Sequence, residues 1–425
     1  MHTSTVDRNI RLLVIELFWA AIAAAAYSFA AAYVIRLGGS NFIVSLITSA
    51  AAVVNAVTTI PFAVLMERTS KRKPWMFGSL IAFRMLNALL IIVPWLPAYR
   101  AEAIVVILLV ANVPVALFNA GWLPMFADII PIHRRARLFS ARNVTLGATM
   151  MIATYAFGRF LEMAPFPSNY QILFVIAMVT SLLSTLYVTK MHIPDVVIDT
   201  TANVDRSWRG IWSLLTESQP YRAITINTLI FNLAAWAAIP FQPIYFVRTL
   251  GASDAWLGIW FAIVNGGAIL GNLFWPRLME RYGFRKILMI SSLLSCLYFF
   301  AIGFVPNLTL ILVFSLLIGM INPGIDVSHF NILLQVCSPQ RRALALGVFV
   351  TVMNAGLMVS SLAIAPLIDW MGAQYVVIGL GVLRLLGALL FVVNPIQEVN
   401  NENEKDSALV QEVSNEKDSA PADAV

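Results

Sequence analysis

Asp326 is the residue best placed to do chemistry. Asn322 four positions earlier and His329 three later share its helical face, beside the helix-loosening Pro323-Gly324. A polar stripe of this kind in a long apolar stretch belongs against water. A carboxylate there can take up and release a proton, and histidine, which titrates near physiological pH, is suited to assist it. Glu16, Arg84 and Arg384 are also embedded in apolar stretches. An ionisable group at the centre of a membrane span costs at least ~2.5–3.5 kcal/mol, so each is expected to be paired or to line water. The expected pairs are Glu16 with Arg84 and Asp326 with Arg384. Asn232, Trp236 and Gln242, which accompany Pro240 and Pro243, add amides and rings, as do Trp19, Tyr27, Asn119 and Trp122. Such side chains suit an apolar-walled pocket with a few orienting polar groups. Arg159 and Glu162, three apart, are expected to form a local salt bridge.

The elements that carry these residues follow from composition. Of 425 residues, 60% are hydrophobic and only 12% charged, against roughly 25% charged in an average soluble domain. The mean hydropathy is +0.81. A membrane span needs roughly 20 apolar residues, and twelve stretches qualify. They cover roughly 11–35, 41–65, 75–97, 101–127, 143–164, 168–190, 222–247, 255–278, 287–304, 308–335, 343–368 and 373–395. The fold class is therefore all-α, a polytopic membrane protein. Basic residues collect on one side of these spans, at Arg68, Lys71, Arg72, Lys73, Arg134, Arg135, Arg281, Arg285, Lys286, Arg341 and Arg342. Basic loops stay cytoplasmic, so both termini are expected there. The net charge of +6 sits at span ends, where it gives no soluble basic stripe for nucleic acid. The segment before Arg8 is short and polar, so span one is expected to be retained.

Several function classes find no support. Cys296 and Cys337 have no ligand-spaced partner, which argues against a metal or a disulfide. No glycine-rich phosphate loop is visible, so energy would come from a gradient, and no cofactor is expected. The four histidines, His2, His133, His192 and His329, lie in separate segments. No cluster of catalytic groups at one membrane face emerges from them.

The chain also repeats itself. Tyr33-Val34-Ile35-Arg36 through Met66-Glu67-Arg68 returns about 212–213 positions later as Tyr245-Phe246-Val247-Arg248 through Met279-Glu280-Arg281. The halves are read as 1–190 and 222–395, joined by a linker at 191–221 and followed by a polar, acidic tail at 396–425. Trp208, Ile211, Trp212 and Leu215 give the linker the spacing of a short interfacial helix. Carried through Arg134-Arg135-Ala136 and Arg341-Arg342-Ala343, the repeat sets Asp326 opposite Asn119. Substrate sites of secondary transporters lie between such halves, near the bilayer midplane. Gly266, Gly267 and Gly271 in span eight would allow the close helix approach that two rocking bundles need.

The loops after spans two and eight, Met66-Glu67-Arg68-Thr69-Ser70-Lys71-Arg72 and Met279-Glu280-Arg281-Tyr282-Gly283-Phe284-Arg285, resemble the cytoplasmic signature G-x-x-x-D-R-x-G-R-R of the major facilitator superfamily. Glu stands for Asp in both copies, and Ala63 or Pro276 stands where the first Gly is usual. The two Arg-Arg-Ala loops are similar to that family's second repeated loop. The resemblance implies two six-helix bundles and alternating access, with Glu67, Arg68, Lys71, Arg72, Glu280, Arg281, Gly283 and Arg285 as a cytoplasmic gate. It further implies a cavity lined by spans one, four, seven and ten, with spans three and twelve at the back. A monomer in the cell's inner membrane, moving a small organic solute with protons as the coupling ion, is the corresponding expectation, with export favoured over import. Span five lacks the Gly-Pro antiporter motif and span four lacks a membrane arginine, which sets the chain apart from standard multidrug antiporters.

Overall fold

The structure, a computed structural model, describes residues 3–67, 69, 71–192, 219–337 and 342–394. The proposed linker helix and the acidic tail lie outside the described residues. Among the described residues, twelve helices are long and apolar enough to cross a membrane. In chain order the spans are Thr3–Tyr27 with Ala30–Arg36, Asn41–Glu67, Arg72–Ala88, Arg100–Ile129, Ile132–Met163 and Ser168–Thr189 in the first half. The second half holds Gln219–Ile244 with the wide turn Tyr245–Thr249, then Asp254–Tyr282, Phe284–Phe304, Leu308–Val336, Arg342–Met371 and Ala373–Val393. Helix is the only open-ended solution here, because lipid offers no partner to an exposed backbone N–H or C=O. No strand occurs among the described residues.

Three spans differ most from their expected bounds; span one begins at Thr3 and breaks after Tyr27 before resuming as Ala30–Arg36. Span five begins at Ile132, so the basic run up to Arg142 is helix and not loop. Span three ends its α-helix at Ala88 and finishes in two tight turns before Leu96, the second holding Pro94.

The repeat is visible in the packing. Span one contacts five and six, and span seven contacts eleven and twelve. Span four lies on two and three, as ten lies on eight and nine, and three meets six as nine meets twelve. Between the halves the main contacts are five with eight and eleven with two, which exchange under the same repeat. The bundles are thus related by a two-fold arrangement. Even the corners match: Gly38 and Gly251 both take positive φ, and Ser40 and Ser253 each cap the following span from three residues upstream.

An even number of crossings puts both chain ends on one face, here the terminal face; the other is the far face. The far half of the molecule has one apolar core fed by both bundles, including Phe29 and Tyr33 with Phe241, Tyr245 and Trp260. Toward the terminal face the core divides. Leu13, Met76 and Phe126 belong to a cluster wholly in the first bundle, and Ile224, Leu333 and Phe391 to one wholly in the second. The bundles meet at the far side and part toward the terminal side.

The glycines of span eight do not act as one set. Gly267 and Gly271 press against the backbone of span ten within their own bundle, while Gly266 faces Met151 of span five. Gly158 and Gly258 let spans five and eight of the two halves meet backbone to backbone. A Cβ on Gly158 would stand 2.7 Å from the Asp254 carbonyl oxygen and 2.7 Å from the Gly258 Cα.

Candidate functional site

The divided core leaves inner faces of several spans uncovered. On span ten, Ile311, Ser315, Asn322 and Asp326 fall on one side at helical spacing. Ile311 and Ser315 are fully buried, Asn322 is half-buried, and Asp326 is exposed. The lipid-facing residues Leu310, Val313 and Leu317 are on the opposite side. Asp326 is therefore the exposed residue, toward the terminal end, of the same face of span ten that is buried in its far half. Span four repeats the pattern: Ala101 is buried, Asn112 half-buried and Asn119 exposed on a single face, away from Val106, Val110 and Val113. Asn119 and Asp326, the equivalents expected from the repeat, occupy matching places: each is exposed toward the terminal end of a face that is buried in its far half.

The charge pairs differ from expectation. Glu16 bonds Arg142 of span five at 3.3 Å and accepts from Ser184 Oγ at 3.1 Å. Arg142 also donates to the Leu13 carbonyl and lies 5.2 Å from the Trp122 ring centre. Arg84, only 7% exposed, has no ion pair among the described residues; its Nε is buried without a partner and its guanidinium lies over Phe83. The early start of span five explains the exchange, because it carries Arg142 into the bundle beside span one. Arg384 donates to Ser295 Oγ at 3.1 Å, to the Phe231 carbonyl at 2.9 Å and to Asn232 Oδ1 at 3.2 Å, above the Phe231 ring. It finds these partners on spans seven and nine of its own bundle, so no ion pair with Asp326 forms. Arg159 and Glu162 do not pair either; the Glu162 carboxylate accepts from the Ala255 N–H at 3.2 Å.

Other expected site residues sort by what they touch. His329 lies 5.3 Å from the Phe349 ring, its Nε2 buried without a hydrogen bond. This contact is the repeat equivalent of Trp122 with Arg142, a packing position between the fourth and fifth spans of each half. Asn232 is engaged by Arg384, and Gln242 donates to the Tyr298 hydroxyl at 3.1 Å. Tyr27 stacks on Phe174, Trp19 meets Phe18 edge-on, and Trp236 fills space that the missing side chain of Gly356 leaves.

In the signature loops, Arg68 and the side chain of Glu67 lie outside the described residues. Lys71 is exposed, and Arg72 Nε donates to the Met66 carbonyl at 3.0 Å. Glu280, Arg281 and Gly283 are exposed and Arg285 half-buried, with Arg281 over the neighbouring Tyr282 ring. Gly283 takes a φ of +79°, which ends span eight.

Sequence reasoning missed Arg142 and Ser184. The signal for Arg142 was present, since no glycine or proline separates Ile132 from the rest of span five. Nothing in the sequence marks Ser184. No group of three His, Cys, Asp or Glu side chains suited to a metal occurs among the described residues.

Comparison with known proteins agrees with the architecture. The structure is similar to a variant of the nucleoside transporter NupG, with a TM-score of 0.73 and 13% identity over 91% of this chain and 100% of that one. A D-xylose-proton symporter aligns with a TM-score of 0.70 and 14% identity over 93% and 98%. By sequence, the uncharacterized MFS-type transporter YfmI of Bacillus subtilis (strain 168) is 24% identical over 310 residues, 69% of this chain and 74% of its own. The multi-drug resistance efflux pump PmrA homolog of Lactococcus lactis subsp. lactis (strain IL1403) is 29% identical over 159 residues, 36% of this chain and 38% of its own. The family model matches residues 13–234 and again 224–420. Twelve spans, a repeated packing scheme and a match over nearly the whole length establish the chain as an integral membrane transporter that belongs to the Major Facilitator Superfamily.

Proposed function

We propose that this transporter exports a small organic solute by alternating access, with Asp326 as the proton carrier of the cycle. One observation carries the reading. The repeat-equivalent residues Asn119 and Asp326 are exposed on faces whose far halves are buried. An unpaired carboxylate there is accessible from the terminal side and stands within reach of a solute between the bundles. The 29% identity to a chain named as an efflux pump supports export. The basic loops support a cytoplasmic terminal face in the cell membrane, which makes the arrangement described here inward-open. One chain supplies both walls of the cleft, so the working unit is a monomer.

The test is gradient-driven transport in proteoliposomes by Asp326→Asn. A thermal-shift screen of purified protein with sugars, nucleosides and amphipathic drugs supplies the solute. The variant is expected to lose accumulation driven by an imposed pH gradient while retaining solute exchange. Unchanged accumulation would remove Asp326 from the mechanism.

A further inference from the structure

We infer that the far face is shut by two reciprocal clasps, built from repeat-equivalent residues, which must part for the far side to open. Arg36, at the end of span one, crosses to the other half and bonds Asp254 Oδ1 at 3.3 Å. Arg248, at the end of span seven, crosses in the opposite direction and donates to Asn41 Oδ1 at 2.6 Å and to the Gly39 carbonyl. These are the same exchange made twice. Arg36 and Arg248 occupy equivalent places, and the matched glycine corners and serine caps align Asn41 with Asp254.

A third member completes each clasp. The Arg-Arg-Ala register that pairs Asn119 with Asp326 also pairs Glu162 with Asp369, at the far ends of spans five and eleven. Glu162 accepts from the backbone N–H of Ala255, and Asp369 accepts from Asn41 Nδ2 at 2.8 Å. Each half thus offers one arginine and one carboxylate to the first turn of the other half's second span. The N-terminal half has an amide at Asn41 where its counterpart has Asp254, and Asn41 passes the contact on to Asp369. The wide turn Tyr245–Thr249, closed by the Leu250 N–H to the Tyr245 carbonyl, carries Arg248 to its position.

Placement separates a lock from ornament. Six hydrogen bonds join the halves between described residues, and all lie in the far half: five in the clasps and one between Ser49 and Ser361. Because the clasps are exchanged by the two-fold, rotating one bundle away from the other strains both at once. The far face then opens as a single event, without a half-latched stage.

The experiment places spin labels at Trp95→Cys and Tyr375→Cys, exposed far-face positions in opposite halves, with buried Cys296 and Cys337 replaced by alanine. Pulsed electron-paramagnetic-resonance distances are measured on full-length protein in nanodiscs, without solute or gradient. A partly exposed ion pair at Arg36 and hydrogen bonds to neutral acceptors at Arg248 are individually weak, so Arg36→Gln with Arg248→Gln together should raise the long-distance population by about tenfold. The charge swap Arg36→Asp with Asp254→Arg should restore the short distance that Arg36→Asp alone loses. If the double Gln variant misfolds, Arg36→Lys with Arg248→Lys should give an intermediate shift. An unchanged distribution in the double Gln or double Lys variant, or a swap that fails to restore, overturns the clasps. Neither result bears on the proton role of Asp326, which this measurement does not involve.

Discussion

Replacing Glu16 by alanine tests the charge arrangement of the first bundle most directly. Both partners of the pair are buried, with side chains 11% exposed at Arg142 and 8% at Glu16. Removing one member of a buried pair typically costs ~3–5 kcal/mol, because the remaining charge is left uncompensated. Arg142 would keep the Leu13 carbonyl and the Trp122 face, which places the loss near the lower end, about 3 kcal/mol. Ser184 would lose its acceptor but can turn to a helix carbonyl. At ~2 °C of melting temperature per kcal/mol for a unit of this size, the expected fall is about 6 °C. The assay is thermal unfolding in nanodiscs, run as two double-mutant cycles. Glu16→Gln with Arg142→Met should show a coupling of at least ~1 kcal/mol, and Glu16→Gln with Arg84→Met much less. Coupling to Arg84 in place of Arg142 would refute the arrangement, and with it the early start of span five as its cause.

Two further substitutions follow from the packing. Gly158→Ala forces a methyl group against the backbone of span eight, where nothing can yield; it should cost ~1–3 kcal/mol and lower the melting temperature. Gly347→Ala, with nothing within 4 Å of the new Cβ, should leave it unchanged or raise it. Trp275→Phe removes the 2.7 Å bond from the indole to the Met320 carbonyl beside Pro323; a loss of about 1 kcal/mol is expected, read by the same melt, and an unaltered melt would show that the carbonyl finds another donor.

The number of spans and their duplication were legible because lipid penalises unpaired backbone so heavily that twelve apolar stretches have one conformation open to them. The correspondence of Asn119 with Asp326 was legible for a related reason: a duplicated bundle repeats its inward faces. Pairing was not. Helical spacing tells which residues share a face of one helix, but the rotation of that helix against its neighbours decides what the face meets. Arg384 therefore turned to Phe231, Asn232 and Ser295, and Glu16 to Arg142. The basic run before Asn143 read as loop because hydropathy falls there, although a helix end reaching the headgroups tolerates charge. Glycines were equally ambiguous: Gly267 and Gly271 serve their own bundle, while Gly158 and Gly258, the pair that brings the halves together, carry no distinguishing context in the sequence.

The unequal charge content of the two bundles shapes what a solute would feel between them. The first bundle holds two guanidiniums, buried Arg84 and largely buried Arg142, against a single carboxylate, Glu16, whereas the second sets Arg384 against exposed Asp326. A surplus unit charge about 10 Å away in a medium of effective dielectric near 20 amounts to roughly 2 kcal/mol per charge. Under the proposed function, a dipolar solute between the bundles is expected to turn its negative end toward the first of them before any specific contact is made.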